Sequence, residues 1–188
     1  MTPAELTVFE AAAAGRRHVV EFGSGGSTLV MLKGGVERID SVESDRAWVD
    51  RLSSQADCAA AIDEGRLRLH FADVGPTRKF GYPLKTSDRT VWPAYWSAVW
   101  TGVDAAAVDM VFVDGRFRVA CTLNSLLNVG RQTVFCIHDF WSRTHYHAVL
   151  EFLTVVCRVD TLGVFMASAD LDRTRVAQVL ADYAVNPR

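Results

Sequence analysis

The chain has 188 residues, 49% of them apolar and 22% charged, with a formal net charge of −2. That length suits one domain with a sizeable core, and the near-neutral charge provides no basic field to attract nucleic acid or an anionic membrane. No apolar run approaches the ~20 residues that span a bilayer, and Met1-Thr2-Pro3-Ala4-Glu5-Leu6 lacks the basic and apolar regions of a secretory signal. A soluble, cytoplasmic protein with neither nucleic-acid nor membrane partners is expected.

In chain order, Leu6, Phe9 and Ala13 share one face of a helix ending at Gly15, read as a lid or edge element. His18 to Phe22 is a strand, Gly23-Ser24-Gly25-Gly26-Ser27-Thr28 a glycine turn, and Leu29, Val30 and Leu32 begin a helix. Arg38 to Val42 is a second strand ending at Glu43, with Asp45 capping a helix that carries Trp48, Val49 and Leu52. Leu67 to Phe71 is a third strand, ending at Ala72-Asp73. From Gly75 to Ala107 the rhythm breaks into an insertion with a short aromatic helix. Val108 to Val113 resumes as a strand ending at Asp114-Gly115, followed by a helix through Val119, Leu123, Leu126 and Leu127. Gln132 to Ile137 is a fifth strand ending at His138-Asp139, and a helix is expected from Tyr146 to Phe152. Val155 to Asp160 and Leu162 to Ala167 lie too close for a helical crossover and must form an antiparallel hairpin before a last helix through Val176, Val179, Leu180 and Tyr183. The pattern predicts an α/β, doubly wound, mostly parallel seven-stranded sheet in a single domain spanning 1–188, with ligands at the carboxyl ends of the strands. Cys58, Cys121, Cys136 and Cys157 are widely spaced without C-x-x-C and read as reduced core thiols.

The strongest chemical signal is Glu21-Phe22-Gly23-Ser24-Gly25-Gly26-Ser27, where glycines permit a tight turn and close backbone approach to a ligand. Glu43, twenty residues beyond Gly23, ends the next strand, where a carboxylate can accept hydrogen bonds from both ribose hydroxyls of an adenosine. Thr28 occupies the position at which a dinucleotide G-x-G-x-x-G loop needs glycine, which argues against a nicotinamide-dependent oxidoreductase.

These runs, with Val42-Glu43-Ser44-Asp45, Val113-Asp114-Gly115-Arg116 and His138-Asp139-Phe140, resemble the class I S-adenosylmethionine-dependent methyltransferases, in particular a bacterial methyltransferase-like subgroup of undefined acceptor. The closing hairpin is similar to the reversed seventh strand of that family. The resemblance implies a Rossmann-like methyltransferase fold and S-adenosylmethionine as cofactor. It implies that Glu21 and Gly23 to Ser27 (Gly23, Ser24, Gly25, Gly26, Ser27) approach the methionine part, Glu43 the ribose, and Asp73 with Val74 the adenine.

Asp114, His138 and Asp139 end adjacent central strands and are the catalytic candidates. The two aspartates suit a general base or electrostatic partner for an oxygen or nitrogen acceptor, whereas magnesium would need a further oxygen ligand that Phe140 does not supply, so no metal is expected. Asp114 can equally cap the next helix or pair with Arg116 or Arg118, and His138 can be a hydrogen-bonded structural imidazole. His145, Tyr146 and His147, with Arg143 before them, are placed at the rim of the same cleft. The insertion carries Arg78, Lys79, Lys85 and Arg89 against the single acid Asp88, then Trp92, Tyr95, Trp96 and Trp100 on one helical face. That face reads as core or a subunit interface, leaving a homodimer open, or as a cover selecting an anionic or sugar-like small-molecule acceptor. A cofactor-binding regulatory or interaction protein without catalysis is the alternative from another class.

Overall fold

Alternating apolar strands and amphipathic helices fold as the pattern requires. The computed structural model describes residues 1–84, 86 and 88–188, so Lys85 lies outside the described residues. The chain runs α1 (Pro3–Ala13), β1 (His18–Phe22), α2 (Gly26–Lys33), β2 (Arg38–Glu43), α3 (Arg46–Ser53), α4 (Ala56–Asp63) and β3 (Leu67–Phe71). Two very short strands follow, β4 (Thr77–Arg78) and β5 (Tyr82–Pro83), then α5 (Ala94–Ser97), β6 (Met110–Val113) and α6 (Arg118–Asn128). The last elements are β7 (Val134–Ile137), β8 (Leu153–Val159), β9 (Leu162–Ala167) and α7 (Arg173–Tyr183).

The seven-stranded sheet has the order β3-β2-β1-β6-β7-β9-β8. Its first five strands are parallel, and β9 pairs antiparallel with both β7 and β8. The chain builds outward from β1 to β3 and then returns to lay β6 on the other side of β1, so the topological switch falls between β1 and β6. Register aligns Phe22 with both Val42 and Val113, and Val113 with Ile137, which brings Gly23, Glu43, Asp114 and His138 to one edge of the sheet.

Side-chain alternation divides the core between the two faces. Val20, Phe22, Val111 and Val113 pack with Phe117 and Leu123 on one side, while Val19, Ile39, Met110 and Phe112 pack with Phe9, Met31 and Cys58 on the other. Among the described residues, no helix is long and apolar enough to cross a membrane.

Three expectations change and one open reading is decided. Helix α1 is not an edge element: Thr2 and Glu5 cap its start reciprocally, and Phe9 is fully buried with its ring 4.6 Å from that of Phe112. Of the readings left open for the aromatic face of the insertion, the structure takes the core of this same chain. Trp92 and Tyr95 are buried with Phe117, and Trp96 and Trp100 pack partly buried against the same cluster. The segment Thr144–Glu151 is a 3-10 helix instead of an α-helix, a geometry that stacks Tyr146 and Val149, three residues apart, on one buried face. Strand β8 starts two residues early and carries an irregularity between Val155 and Cys157.

Because Phe9 fills a site in the sheet-facing core, Phe9→Ala should lower the unfolding free energy by about 3 kcal/mol or more in urea denaturation. A loss below about 1 kcal/mol would mean that α1 is a detachable lid.

Candidate functional site

The glycine turn is held from beneath by a buried carboxylate. Glu21 has no exposed surface; its Oε1 accepts from Ser27 Oγ at 2.5 Å, and its Oε2 accepts from Thr28 Oγ1 at 2.6 Å and Ser41 Oγ at 2.5 Å. Ser41 Oγ also lies 2.6 Å from Ser24 Oγ, and Thr28 Oγ1 accepts from the Gly25 amide at 2.9 Å. Thr28, where a dinucleotide loop would need glycine, thus fastens this loop to β1. Burial pushes the Glu21 carboxyl up to about 7, against the hydrogen bonds from Ser27, Ser41 and Thr28 that favour its charged form. Glu21 therefore faces the underside of the loop and not the cavity above it.

Above the loop, the ends of β1 and β6 touch. Gly23 has φ +99°, and a Cβ there would lie 2.5 Å from the Gly115 amide nitrogen; on Gly115 a Cβ would lie 2.0 Å from the Tyr95 hydroxyl. Glycine at both positions leaves the strand ends in contact with room for a ligand over them. The cavity so formed has a volume of about 540 Å³, lined by Gly23, Ser24, Glu43, Tyr95, Asp114 and Asp139 among others. A second cavity of about 340 Å³ meets it at Gly23, Ser24 and Asp114 and runs along Gly25, Gly26 and Ser27 beside α1.

Glu43 Oε1 accepts from the amides of Ser44 at 2.6 Å and Asp45 at 3.0 Å, and burial outweighs these bonds to raise its pKa. Trp48 closes the rim by donating from Nε1 to Ser24 O at 2.8 Å. Phe80, exposed and at φ +65°, and Gly81 reach over from the insertion. Asp73 is exposed and accepts from the Gly75 amide at 2.9 Å; Val74 is buried, with its carbonyl bonded to Trp92 Nε1 at 3.1 Å. Neither lines the cavity.

The three catalytic candidates converge: single ligand atoms of Asp114, His138 and Asp139 lie within 4.8 Å of one another. Each is already engaged. His138 Nδ1 is 3.1 Å from Asp114 Oδ1, and its Nε2 is 3.3 Å from Glu5 Oε2 of α1. Burial alone would lower the imidazole pKa, but the hydrogen bond and charge of Asp114 and the charge of Asp139 outweigh it and raise it. Asp114 is held below the usual carboxylate range, since the His138 hydrogen bond and the Arg118 charge outweigh burial. Arg118, almost wholly buried, reaches Asp114 at 3.0 Å and Asp139 at 3.6 Å and also bonds the His138 carbonyl. Arg143 binds Asp139 at 2.7 Å. Two fixed guanidiniums at these carboxylates oppose a divalent ion, so the cluster does not fit a metal.

Sequence reading missed Glu5, Ser41, Trp48 and Phe80. Glu5 sits at a helix start far from the strand ends in sequence, and its acceptance from Thr161 and Leu162 amides is a tertiary contact with no local signature. Of the rim residues expected after Asp139, only Arg143 reaches the cavity; Tyr146 is buried beneath Arg118, and His147 packs on Phe140.

No family model and no curated protein sequence matches the chain. Among solved structures, a methyltransferase-like protein from Silicibacter pomeroyi DSS-3 is 29% identical, covers 100% of this chain and 96% of its own, and superposes with a TM-score of 0.84. A candidate caffeoyl-CoA O-methyltransferase from Staphylococcus aureus is 11% identical over 89% of this chain and 85% of its own, with a TM-score of 0.62. An RNA methyltransferase from Salinibacter ruber, in complex with S-adenosyl-L-homocysteine, is 15% identical over 92% of this chain and 97% of its own, with a TM-score of 0.51.

The buried Glu21 gives the loop a pH signature. Below pH 4.5 it is protonated in folded and unfolded chains alike; above that the unfolded chain releases the proton, while the folded one keeps it until about 7. Its contribution to stability is therefore fully present below pH 4.5 and is lost as pH rises through about 7. Urea unfolding of Glu21→Gln across this window should show a weaker decline with pH than the parent. Parallel profiles would mean that Glu21 is ionised throughout.

Proposed function

We propose that this chain, which has the fold of the class I S-adenosylmethionine-dependent methyltransferases and is 29% identical over its full length to a methyltransferase-like protein, transfers a methyl group from S-adenosylmethionine to an oxygen or nitrogen atom of a small molecule, in the cytoplasm. The observation that carries this reading is the meeting, around one cavity, of the Gly23 to Ser27 turn, the Glu43 carboxylate and the Asp114 and Asp139 carboxylates.

The residues fit the cofactor. Gly25 and Gly26 have open space where a Cβ would project, as a loop that lies under a ligand requires. Among the described residues, the hydrogen bonds that Glu43 accepts go to Oε1, leaving Oε2 for ribose hydroxyls. Phe80 and Trp48 offer aromatic faces at the mouth, and they take the adenine contact in place of Asp73 and Val74. When bound, S-adenosylmethionine supplies an electrophilic methyl group whose carbon–sulfur bond electrons pass to sulfur as the acceptor atom attacks. The chain's own work is placement: Gly23 to Ser27 and Glu43 orient the donor, and the cavity wall orients the acceptor. Asp139, which lines the cavity, takes the acceptor's proton at a carboxylate oxygen. His138 and Arg118 position Asp114 and Asp139 and neutralise their charge; Glu21 positions the loop.

Titration calorimetry tests the donor site. Glu43→Ala should weaken S-adenosylhomocysteine binding by roughly 1.5 to 3 kcal/mol, the scale of lost charge-assisted hydrogen bonds. Unchanged affinity in a folded variant removes Glu43 from the site. Asp139→Asn should leave that affinity unchanged while cutting S-adenosylhomocysteine release with the acceptor by ~10²-fold. Undiminished turnover would take the proton-handling role from Asp139.

A further inference from the structure

Tyr95 has only 1% of its surface exposed, yet it belongs to the wall of the larger cavity at the glycine turn, with Gly23, Glu43 and Gly115. Its ring is fixed in the core. The ring centroid lies 5.5 Å from that of Phe117 and 6.2 Å from that of Phe22, and α5 is tied to α6 by Asn124 Nδ2, which donates to Trp96 O at 2.9 Å. The hydroxyl is the part that reaches the strand ends. It accepts from the Arg116 amide at 3.3 Å, and a Cβ on Gly115 would sit 2.0 Å from it and 2.9 Å from the Gly23 nitrogen.

That hydroxyl has half of its hydrogen bonding met. Among the described residues nothing accepts its proton in turn, although a buried phenol ordinarily finds an acceptor. Burial, and after it the charge of Glu43, push its pKa well above the usual value, so the group keeps its proton as a neutral donor in the field of that carboxylate. The surroundings select what it meets. Tyr95 and Glu43 line one cavity, whereas Gly25, Gly26 and Ser27 line the neighbouring one beside α1, which includes neither of them. A ribose whose hydroxyls donate to Glu43 Oε2 still carries oxygen lone pairs that need a donor, and Tyr95 holds an unused one at the same cavity wall.

We propose that Tyr95 is a cofactor-binding residue whose hydroxyl donates to a ribose oxygen of the bound nucleoside while Glu43 accepts from the sugar's own hydroxyls. This step rests on the S-adenosylmethionine reading and extends it to a residue of the insertion. The insertion then does more than fill the core: α5 carries the donor half of a donor and acceptor pair that grips one sugar. Because the ring is locked between Phe22 and Phe117, the donor is in place before the ligand arrives, and little side-chain freedom is lost on binding.

Tyr95→Phe keeps the ring and removes only the hydroxyl, so calorimetric titration of parent and variant is the direct test. S-adenosylhomocysteine should bind the variant about five- to tenfold more weakly, and 5′-methylthioadenosine, which keeps the nucleoside and lacks the amino-acid end, should lose affinity by a similar factor. In the parent, the carbon-13 resonance of one of the four tyrosine Cζ atoms should shift on addition of 5′-methylthioadenosine. Four unmoved resonances overturn the proposal whatever the variant's stability. A lower thermal midpoint with unchanged affinity makes the hydroxyl a structural group and overturns it too. A loss confined to S-adenosylhomocysteine, or a parent that binds S-adenosylhomocysteine but not 5′-methylthioadenosine, overturns the assignment to the ribose. A parent that binds neither contradicts the S-adenosylmethionine reading itself, whereas equal affinities in parent and variant leave that reading standing and remove Tyr95 alone.

Discussion

Glu21 is the point at which the strand, the turn and the neighbouring strand are joined. Its carboxyl gathers hydroxyls from Ser27 and Thr28 at the start of α2 and from Ser41 on β2, so the end of β1, the entry to the helix and the middle of β2 form one hydrogen-bonded unit. A buried carboxyl is costly without partners, and it is the completeness of this set that makes the arrangement tolerable. Everything above it follows: with the turn held down, Gly23 can lie against Gly115, the ends of β1 and β6 come together, and the cavity opens at the topological switch. The loop's shape is thus set by polar contacts below it, which leaves its upper surface available.

The second organising feature is a nearly balanced charge cluster at the other wall. Asp114, Asp139 and Glu5 are matched by His138, Arg118 and Arg143, and the contacts run from α1 through the ends of β6 and β7 to the start of α6. This arrangement sets two aspartates at neighbouring strand ends against guanidinium and imidazole partners. It also explains why α1 belongs to the fold: Glu5 accepts from Thr161 and Leu162 as well as facing His138, which fastens the helix across the strand ends. Asp139 sits at φ +56°, in the left-handed region that a side chain seldom adopts, and the paired guanidiniums hold it there.

The sheet was legible because its information is local. Runs such as Val108 to Val113 and the closely spaced pair ending in Leu162 to Ala167 announce buried strands and a hairpin through residue type and spacing alone, and Asp45 capping α3 is a local signal too. The glycine turn and Glu43 were legible for the same reason. What sequence did not reveal was non-local. Nothing near Thr2-Pro3-Ala4-Glu5 foretells a bond to residue 161, and nothing near Trp92 indicates that its indole closes on Val74 O. Glu21 and His138 stand out in the sequence, but their chemical surroundings depend on Ser41 and Glu5, which are distant in sequence. For the insertion the sequence left core, subunit interface and acceptor cover open, because a stripe of tryptophans looks the same whether its core belongs to this chain or to a partner; the structure places Trp92 and Tyr95 in the core.

The central claim is that this turn, with Thr28 tied to Glu21, is built for S-adenosylmethionine and not for a dinucleotide. Parallel calorimetric titrations of the unaltered chain with S-adenosylhomocysteine and with NAD test it most directly. The account predicts saturable binding of S-adenosylhomocysteine at one site per chain, with NAD at least about a hundredfold weaker, a gap of roughly 2.7 kcal/mol. Comparable affinity for the two, or binding of NAD alone, would contradict it.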